Sequence, residues 1–292
     1  METDVIIIGC GPAGLQAAIH SSRSRVKTLV VGKTRNSAAY GTEIENYLGT
    51  AEDGESILNQ GIGQAKSFGA EFIDQNIISA GREGDSFVFV TDDGTKITAK
   101  AVIIATGISR KKLGVPGEKE LYGKGVSYCA ICDCNFYKGK NVVIVGNESE
   151  AASSAKLMTS YASETSWVTW ELTANESIVH AALDSGVRMY NSRPKSIDGT
   201  DKVEFITLQD GTVISTDGVF IELGAKSAAD IAMDIDVMPE MDDTIKVDAG
   251  CRTEVPGVFA CGDVTGKPWQ IAKAVGQGCV AGLNAAEFVK GQ

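Results

Sequence analysis

The stretch TDVIIIGCGPAGLQAAIHSSRSRVKTLVV, residues 3 to 31, decides the architecture. Asp4 to Gly9 is apolar at nearly every position, the pattern of a strand buried on both faces of a parallel sheet. The glycines of GCGPAG, residues 9 to 14, turn the chain into the helix LQAAIHSSR, and VKTLVV, residues 26 to 31, reads as the next strand. In such a βαβ unit Gly9 permits the tight turn, and Gly11 lets backbone amides approach a pyrophosphate. Gly14 lets helix and sheet pack closely, with the phosphate at the positive helix N-terminus. The pattern begins again 137 positions later: NVVIVG from Asn141 is a strand, NESEAASSAKLMTSY a helix and SWVTW another strand. The sequence therefore predicts an α/β protein with two Rossmann-like dinucleotide-binding domains, the second inserted in the first. Residues 1–112 and 224–292 form the discontinuous outer domain, and 113–223 the insert.

Elsewhere a helix is predicted around Ile57 to Phe68, strands through FVFVTDDGTKITAKAVIIAT with a turn at Asp93–Gly94, and a helix from Glu176 to Asp184 closed by Gly186. Extended segments follow at 187–191, 203–215 and 218–223, the middle one turning at Asp210–Gly211, and the chain closes on the helix IAKAVGQGCVAGLNAAEFV. With 43% hydrophobic and 22% charged residues, the 292-residue chain builds roughly two cored domains, which excludes disorder. A net charge of -11 argues against nucleic acid or anionic lipid as the main partner. No apolar run reaches the roughly 18 residues of a membrane helix, and Glu2 and Asp4 stand where a signal peptide is basic, so a cytoplasmic location is expected.

Of 7 cysteines, three cluster in SYCAICDCNFY, just before the second βαβ unit. The spacing Cys129-x-x-Cys132 allows a small disulfide ring and can lower one thiol pKa, which suits exchange with another disulfide. A zinc site would need four ligands, and His20 and His180 are the only histidines, so no metal is expected. Cys134, the third thiol, reads as inert buried sulfur.

The far end of the chain, EVPGVFACGDV (residues 254 to 264), resembles the second flavin motif of the two-dinucleotide-domain disulfide reductases. ATG at 105 to 107 resembles the point where the chain leaves their flavin domain. GCGPAG, ATG, CAICD and GVFACGD, in this order and spacing, are together similar to the low-molecular-weight thioredoxin reductase family over essentially the whole chain. The resemblance implies one FAD per chain, held by Gly9, Gly11, Pro12, Ala13, Gly14, Asn46, Thr106, Gly107, Asp263, Gln270 and Ile271, with Asp263 on the ribityl chain. It implies that Cys132 lies near the flavin, that Cys129 attacks the thioredoxin disulfide and that Asp133 is the general acid or base. It also implies a homodimer.

The chain departs from that family at the second loop. Glu148, in GNESEA (residues 146 to 151), stands where a glycine admits the NADPH pyrophosphate, and no Lys or Arg occurs from Leu157 to Val187 to pair with a 2′-phosphate. Glu171 is placed to hold a ribose 2′-OH, the NADH reading, or is a solvated strand-end charge. With the nicotinamide site lost, the resemblance is closest to the ferredoxin-dependent flavin thioredoxin reductases, which implies ferredoxin as donor. Residues 110 to 140 carry seven Lys or Arg against three Asp or Glu, a local +4 suited to an acidic partner. Two further departures are Trp269, where the family usually has Arg, and a short loop at Asn36 to Thr42. The alternatives are an NAD(P)H-dependent reductase with a divergent loop and a dithiol oxidase that passes electrons to oxygen.

Overall fold

The computed structural model describes residues 1–107, 112–128, 130–224 and 227–291, leaving the side chains of Thr50, Ile131 and Cys132 undescribed. It divides into two compact units, Met1–Ser109 with Lys226–Gln292 and Arg110–Ala225.

The first unit opens with β1 (Glu2–Ile8), α1 (Pro12–Arg23) and β2 (Thr28–Val31), followed by the hairpin β3 (Glu43–Tyr47) and β4 (Thr50–Asp53) and by α2 (Gly54–Ser67). The strands β5 (Glu71–Ile73), β6 (Ile77–Glu83), β7 (Ser86–Thr91) and β8 (Lys96–Ile104) complete its first segment. The chain crosses the second unit as β9 (Val126–Ser127), α3 (Ala130–Asp133), β10 (Asn141–Val145), α4 (Ser149–Met158), β11 (Glu164–Thr169), α5 (Glu176–Asp184) and β12 (Arg188–Asn191). Four more strands follow there, β13 (Pro194–Asp198), β14 (Phe205–Leu208), β15 (Val213–Ser215) and β16 (Gly218–Ile221). It returns to the first unit as α6 (Ala228–Asp234), β17 (Val258–Ala260) and α7 (Ile271–Lys290).

In the first unit the sheet runs β5-β2-β1-β8-β7-β6, with β17 beside the C-terminal half of β8. The strands β5, β2, β1, β8 and β17 are parallel, and β7 and β6 continue antiparallel. Alternation along β1 explains why both faces are covered. Val5 and Ile7 pack with Ala17, Ala18, Ala281 and Ala285 of α1 and α7, whereas Ile6 and Ile8 join Val102, Ile104, Ile231 and Ile235 on the other side. The helices α1 and α7 cross closely, for a Cβ on Gly278 would come to 2.2 Å from the Ala13 carbonyl oxygen. The second unit carries a five-stranded parallel sheet, β12-β11-β10-β16-β9, and a three-stranded antiparallel sheet, β13-β14-β15. Its order outward from β10 is that of a mononucleotide-binding half.

Several boundaries differ from the sequence reading. The strand read from Asp4 starts at Glu2, because Glu2 and Thr3 pair in register with Thr98 and Ala99. The helix read as 147–161 spans only Ser149–Met158 and gives way to turns that tie Thr159, Ser160 and Tyr161 back to it. The extended segment 203–215 is the hairpin of β14 and β15, and β13, opened by Pro194, was not anticipated. Among the described residues no helix is long and apolar enough to cross a membrane.

Candidate functional site

At the first glycine loop β1 ends between β2 and β8. A Cβ on Gly9 (φ +118) would lie 2.3 Å from the Ala105 carbonyl oxygen, so only glycine turns here without displacing the end of β8. Gly11 is the extended N-cap of α1, and no side chain caps that end, so the first amides point out beside Pro12, Ala13 and Gly14. Beside the loop lies a cavity of about 330 Å³, bounded by Cys10, Thr34, Arg35, Tyr40, Lys66 and Asp74 among others. The cations and Asp74 come from three different segments, and linear sequence gave no signal for them. Lys33, at the place of the missing acidic ribose ligand, turns away to pair with Asp92 at 3.2 Å.

The remaining flavin-type residues lie in the same unit. Asn46, on β3, donates its side-chain amide to the Gln270 side-chain oxygen (Oε1) at 2.9 Å, joining two positions 224 residues apart. Gln270 is the N-cap of α7 and Ile271 its first residue. Gly107 (φ +71) has open space where a Cβ would be, beside a half-buried Thr106. Asp263 is partly buried, and burial raises its carboxyl above the usual range while Lys273 opposes the shift. Two α7 residues that sequence reasoning missed brace this turn. Gln277 accepts from the Gly262 amide (3.0 Å) and the Thr265 hydroxyl (2.9 Å), and the Lys273 ammonium donates to the Gly262 and Gly266 carbonyls. Their signal was only a helical spacing of four. Trp269 is half exposed, with Lys267 over its ring at 5.2 Å.

The second loop has the same backbone plan and different chemistry. A Cβ on Gly146 would meet the Glu222 carbonyl at 1.9 Å, as Gly9 meets Ala105. The Asn147 side-chain oxygen accepts from the Thr169 hydroxyl (2.9 Å) and from the amides of Trp170 (3.0 Å) and Glu171 (3.4 Å). The Asn147 carbonyl accepts the Thr173 amide (2.9 Å), and Ser149 accepts the Asn175 amide (2.9 Å). The crevice between the ends of β10 and β11, where this fold holds an adenosine ribose, is thus bridged by protein. Glu148 is the extended N-cap of α4. One expectation is corrected: a cation does reach the end of β11, because Arg193, outside the stretch searched in the sequence, pairs with Glu171 at 2.8 Å and lies over Trp170.

Cys129 lies outside the described residues, as do Arg110 and Lys111 of the basic stretch, and the Cys132 side chain is not described. Asp133 ends α3 and makes no side-chain cap to the turn that follows. Its charge, with that of Asp217, adds to burial in pushing the Tyr137 hydroxyl up. Cys134 is buried in the core of the second unit, and its contact with the Tyr161 hydroxyl raises that hydroxyl's pKa. Among the described residues no group of three or more His, Cys, Asp or Glu side chains could hold a metal.

The first loop fits FAD: a turn only glycine allows, uncapped helix amides, an adjoining cavity, and the Asp263 and Gln270 ends of the site in one unit. With a Cys-x-x-Cys-Asp segment in the other unit, the fold and residues define a two-dinucleotide-domain disulfide oxidoreductase. The comparisons with known proteins agree. Residues 3–278 match the pyridine nucleotide-disulphide oxidoreductase family, and the chain belongs to it. It is 36% identical to the thioredoxin reductase of Listeria innocua over 305 aligned positions, covering 98% of this chain and 94% of that one. The atypical thioredoxin reductase of Desulfovibrio vulgaris Hildenborough superimposes with a TM-score of 0.85 at 33% identity, over 99% of both chains. A ferredoxin-flavin thioredoxin reductase from Clostridium acetobutylicum gives 0.69 at 32% identity, over 100% of this chain and 99% of that one.

Proposed function

We propose that the protein reduces the disulfide of thioredoxin through bound FAD and a Cys129–Cys132 pair, and that its electrons come from a ferredoxin-type donor. FAD would supply the relay between a donor and the cysteine pair. Gly11, Ala13 and Gly14 would offer amides to its pyrophosphate, Asp263 would hold its ribityl chain, and the Asn46–Gln270 pair fixes the start of α7. Cys129 attacks the thioredoxin disulfide as thiolate, forming a mixed disulfide and releasing one thioredoxin thiol. Cys132 then displaces the second thiol and closes the Cys129–Cys132 disulfide, with Asp133 moving the proton.

The bridged second loop is the observation that carries the choice of donor. A nicotinamide nucleotide would have to break the bonds that Asn147 and Ser149 make to residues 169–175 and would meet Glu148 at the pyrophosphate. A second reading, an NAD(P)H-dependent thioredoxin reductase with a divergent loop, is the one the comparisons favour. Curated relatives at 35 to 36% identity are named simply thioredoxin reductases, and Arg193 beside Glu171 supplies a cation to the strand end. A cytoplasmic homodimer completes the proposal.

Anaerobic mixing of the flavin-loaded protein with NADPH, NADH or reduced ferredoxin, followed by visible absorbance, separates the readings. Bleaching by ferredoxin, with thiols appearing on added thioredoxin and little change with NADPH, is expected. Rapid stoichiometric bleaching by NADPH with none by ferredoxin overturns the donor and leaves the thioredoxin reductase.

A further inference from the structure

Glu222 follows β16 beside the end of β10, at the sheet end where a dinucleotide fold binds its ligand. It is 6% exposed. One carboxylate oxygen accepts the amide of Ala130 at 3.0 Å and the Ser154 hydroxyl at 3.4 Å, and the Glu222 backbone is held by its own amide donating to Val145 at 2.8 Å. Ala130 follows Cys129 in the chain, opens α3 and is 1% exposed. The first amide of a helix has no acceptor within the helix, and a buried one must find it elsewhere. α3 has four residues, too few to hold a conformation by its own backbone bonds. The strand ahead of Glu222, in contrast, is paired on both sides, to β10 and to β9.

We infer that Glu222 is a positioning residue for the cysteine pair: its carboxylate ties the start of the cysteine-bearing helix to the rigid centre of the sheet, and Ser154 orients that carboxylate. The inference rests on the proposed thiol–disulfide exchange. It adds that the geometry of exchange is set from the strand end that a nucleotide-binding domain would use for its ligand. The other ionisable groups of these elements are Glu148 and Glu150 at the start of α4, Lys156 in its last turn, and Cys132 and Asp133 on α3.

The test needs no physiological donor. Flavin-loaded protein is reduced with dithionite, freed of reagent anaerobically, and mixed with oxidised thioredoxin, and the thiols formed on thioredoxin are trapped over time. Glu222→Met keeps the volume and removes the acceptor, and exchange is expected to slow about tenfold or more, at an unchanged half-saturating thioredoxin concentration. Glu222→Gln retains an acceptor for the Ala130 amide and should stay within about twofold of wild type. Exchange by Glu222→Met within twofold of wild type, or by Glu222→Gln as slow as by Glu222→Met, overturns the inference. No thiols on thioredoxin from the reduced wild-type protein would instead overturn the proposed exchange itself.

Discussion

The two glycine loops stand at the same strand-to-helix junction of two sheets that share a parallel centre. Gly9 and Gly146 do one job, since each would drive a Cβ into the carbonyl at the end of the neighbouring strand. The next motif positions separate them. Gly11 leaves the N-terminus of α1 open beside a cavity of about 330 Å³, whereas Glu148 stands at the N-terminus of α4 and Asn147 is bonded across to residues 169–171. On the proposed reading of the donor, a dinucleotide fold and a dinucleotide site are separable: backbone sterics keep the first, and two or three side chains decide the second.

The strongest challenge to this comparison is to copy the second loop into the first. Gly11→Glu places a carboxylate against the expected pyrophosphate and is expected to weaken FAD binding by about a hundredfold or more while the fold persists. Flavin absorbance per chain and a thermal melt check it, and retained flavin would break the comparison. Asp263→Ala comes next, with FAD affinity falling roughly tenfold to a hundredfold as a charge-assisted hydrogen bond is lost.

Asp263→Asn sharpens that test through pH. Burial raises the Asp263 carboxyl, so the folded chain holds this proton more tightly than the unfolded one. The contribution to stability is then present at low pH and lost as pH rises through the raised value. In flavin-free protein Asp263→Asn should melt at or above the wild-type temperature near neutral pH, with the advantage gone by about pH 4.

In the second unit Asn147→Ala strands the part-buried Thr169 hydroxyl and Trp170 amide and should cost about 1–3 kcal/mol in urea unfolding. If it costs nothing, the loop is not held shut by those bonds. The smallest effect belongs to Glu171→Gln, whose ion pair with Arg193 is exposed on both sides. A change under about 1 kcal/mol is expected in the same assay.

Legibility in the sequence followed how local each cause was. The βαβ starts could be read because Gly9, Gly11 and Gly14 answer to steric demands within a few residues. The hairpin β3–β4 could not: GTEIENYLGTAED is mostly polar, and Leu48 at its tip is almost fully exposed, so there is no buried face to give a period of two. For α6 the local signal is a capping box, formed by Ser227 and Asp230. Arg35, Lys66, Asp74 and Arg193 reach their places only through the tertiary fold. Arg193 lies beyond residues 157–187 in the chain and meets Glu171 through that fold.

The crossing of α1 with α7 also bears on how the protein is made. The second unit is one continuous run, 110–225, and can fold once it clears the ribosome, while the first waits for its far end. The helix that opens the phosphate cradle has Ala281 and Ala285 as core partners, and the Asp263 turn is braced by Lys273 and Gln277. During synthesis the amino-terminal glycine loop therefore exists for more than two hundred residues of growth before its packing partner does. A ribosome that stops short of α7 yields a chain with a complete cysteine-bearing unit and a glycine loop without its packing partner.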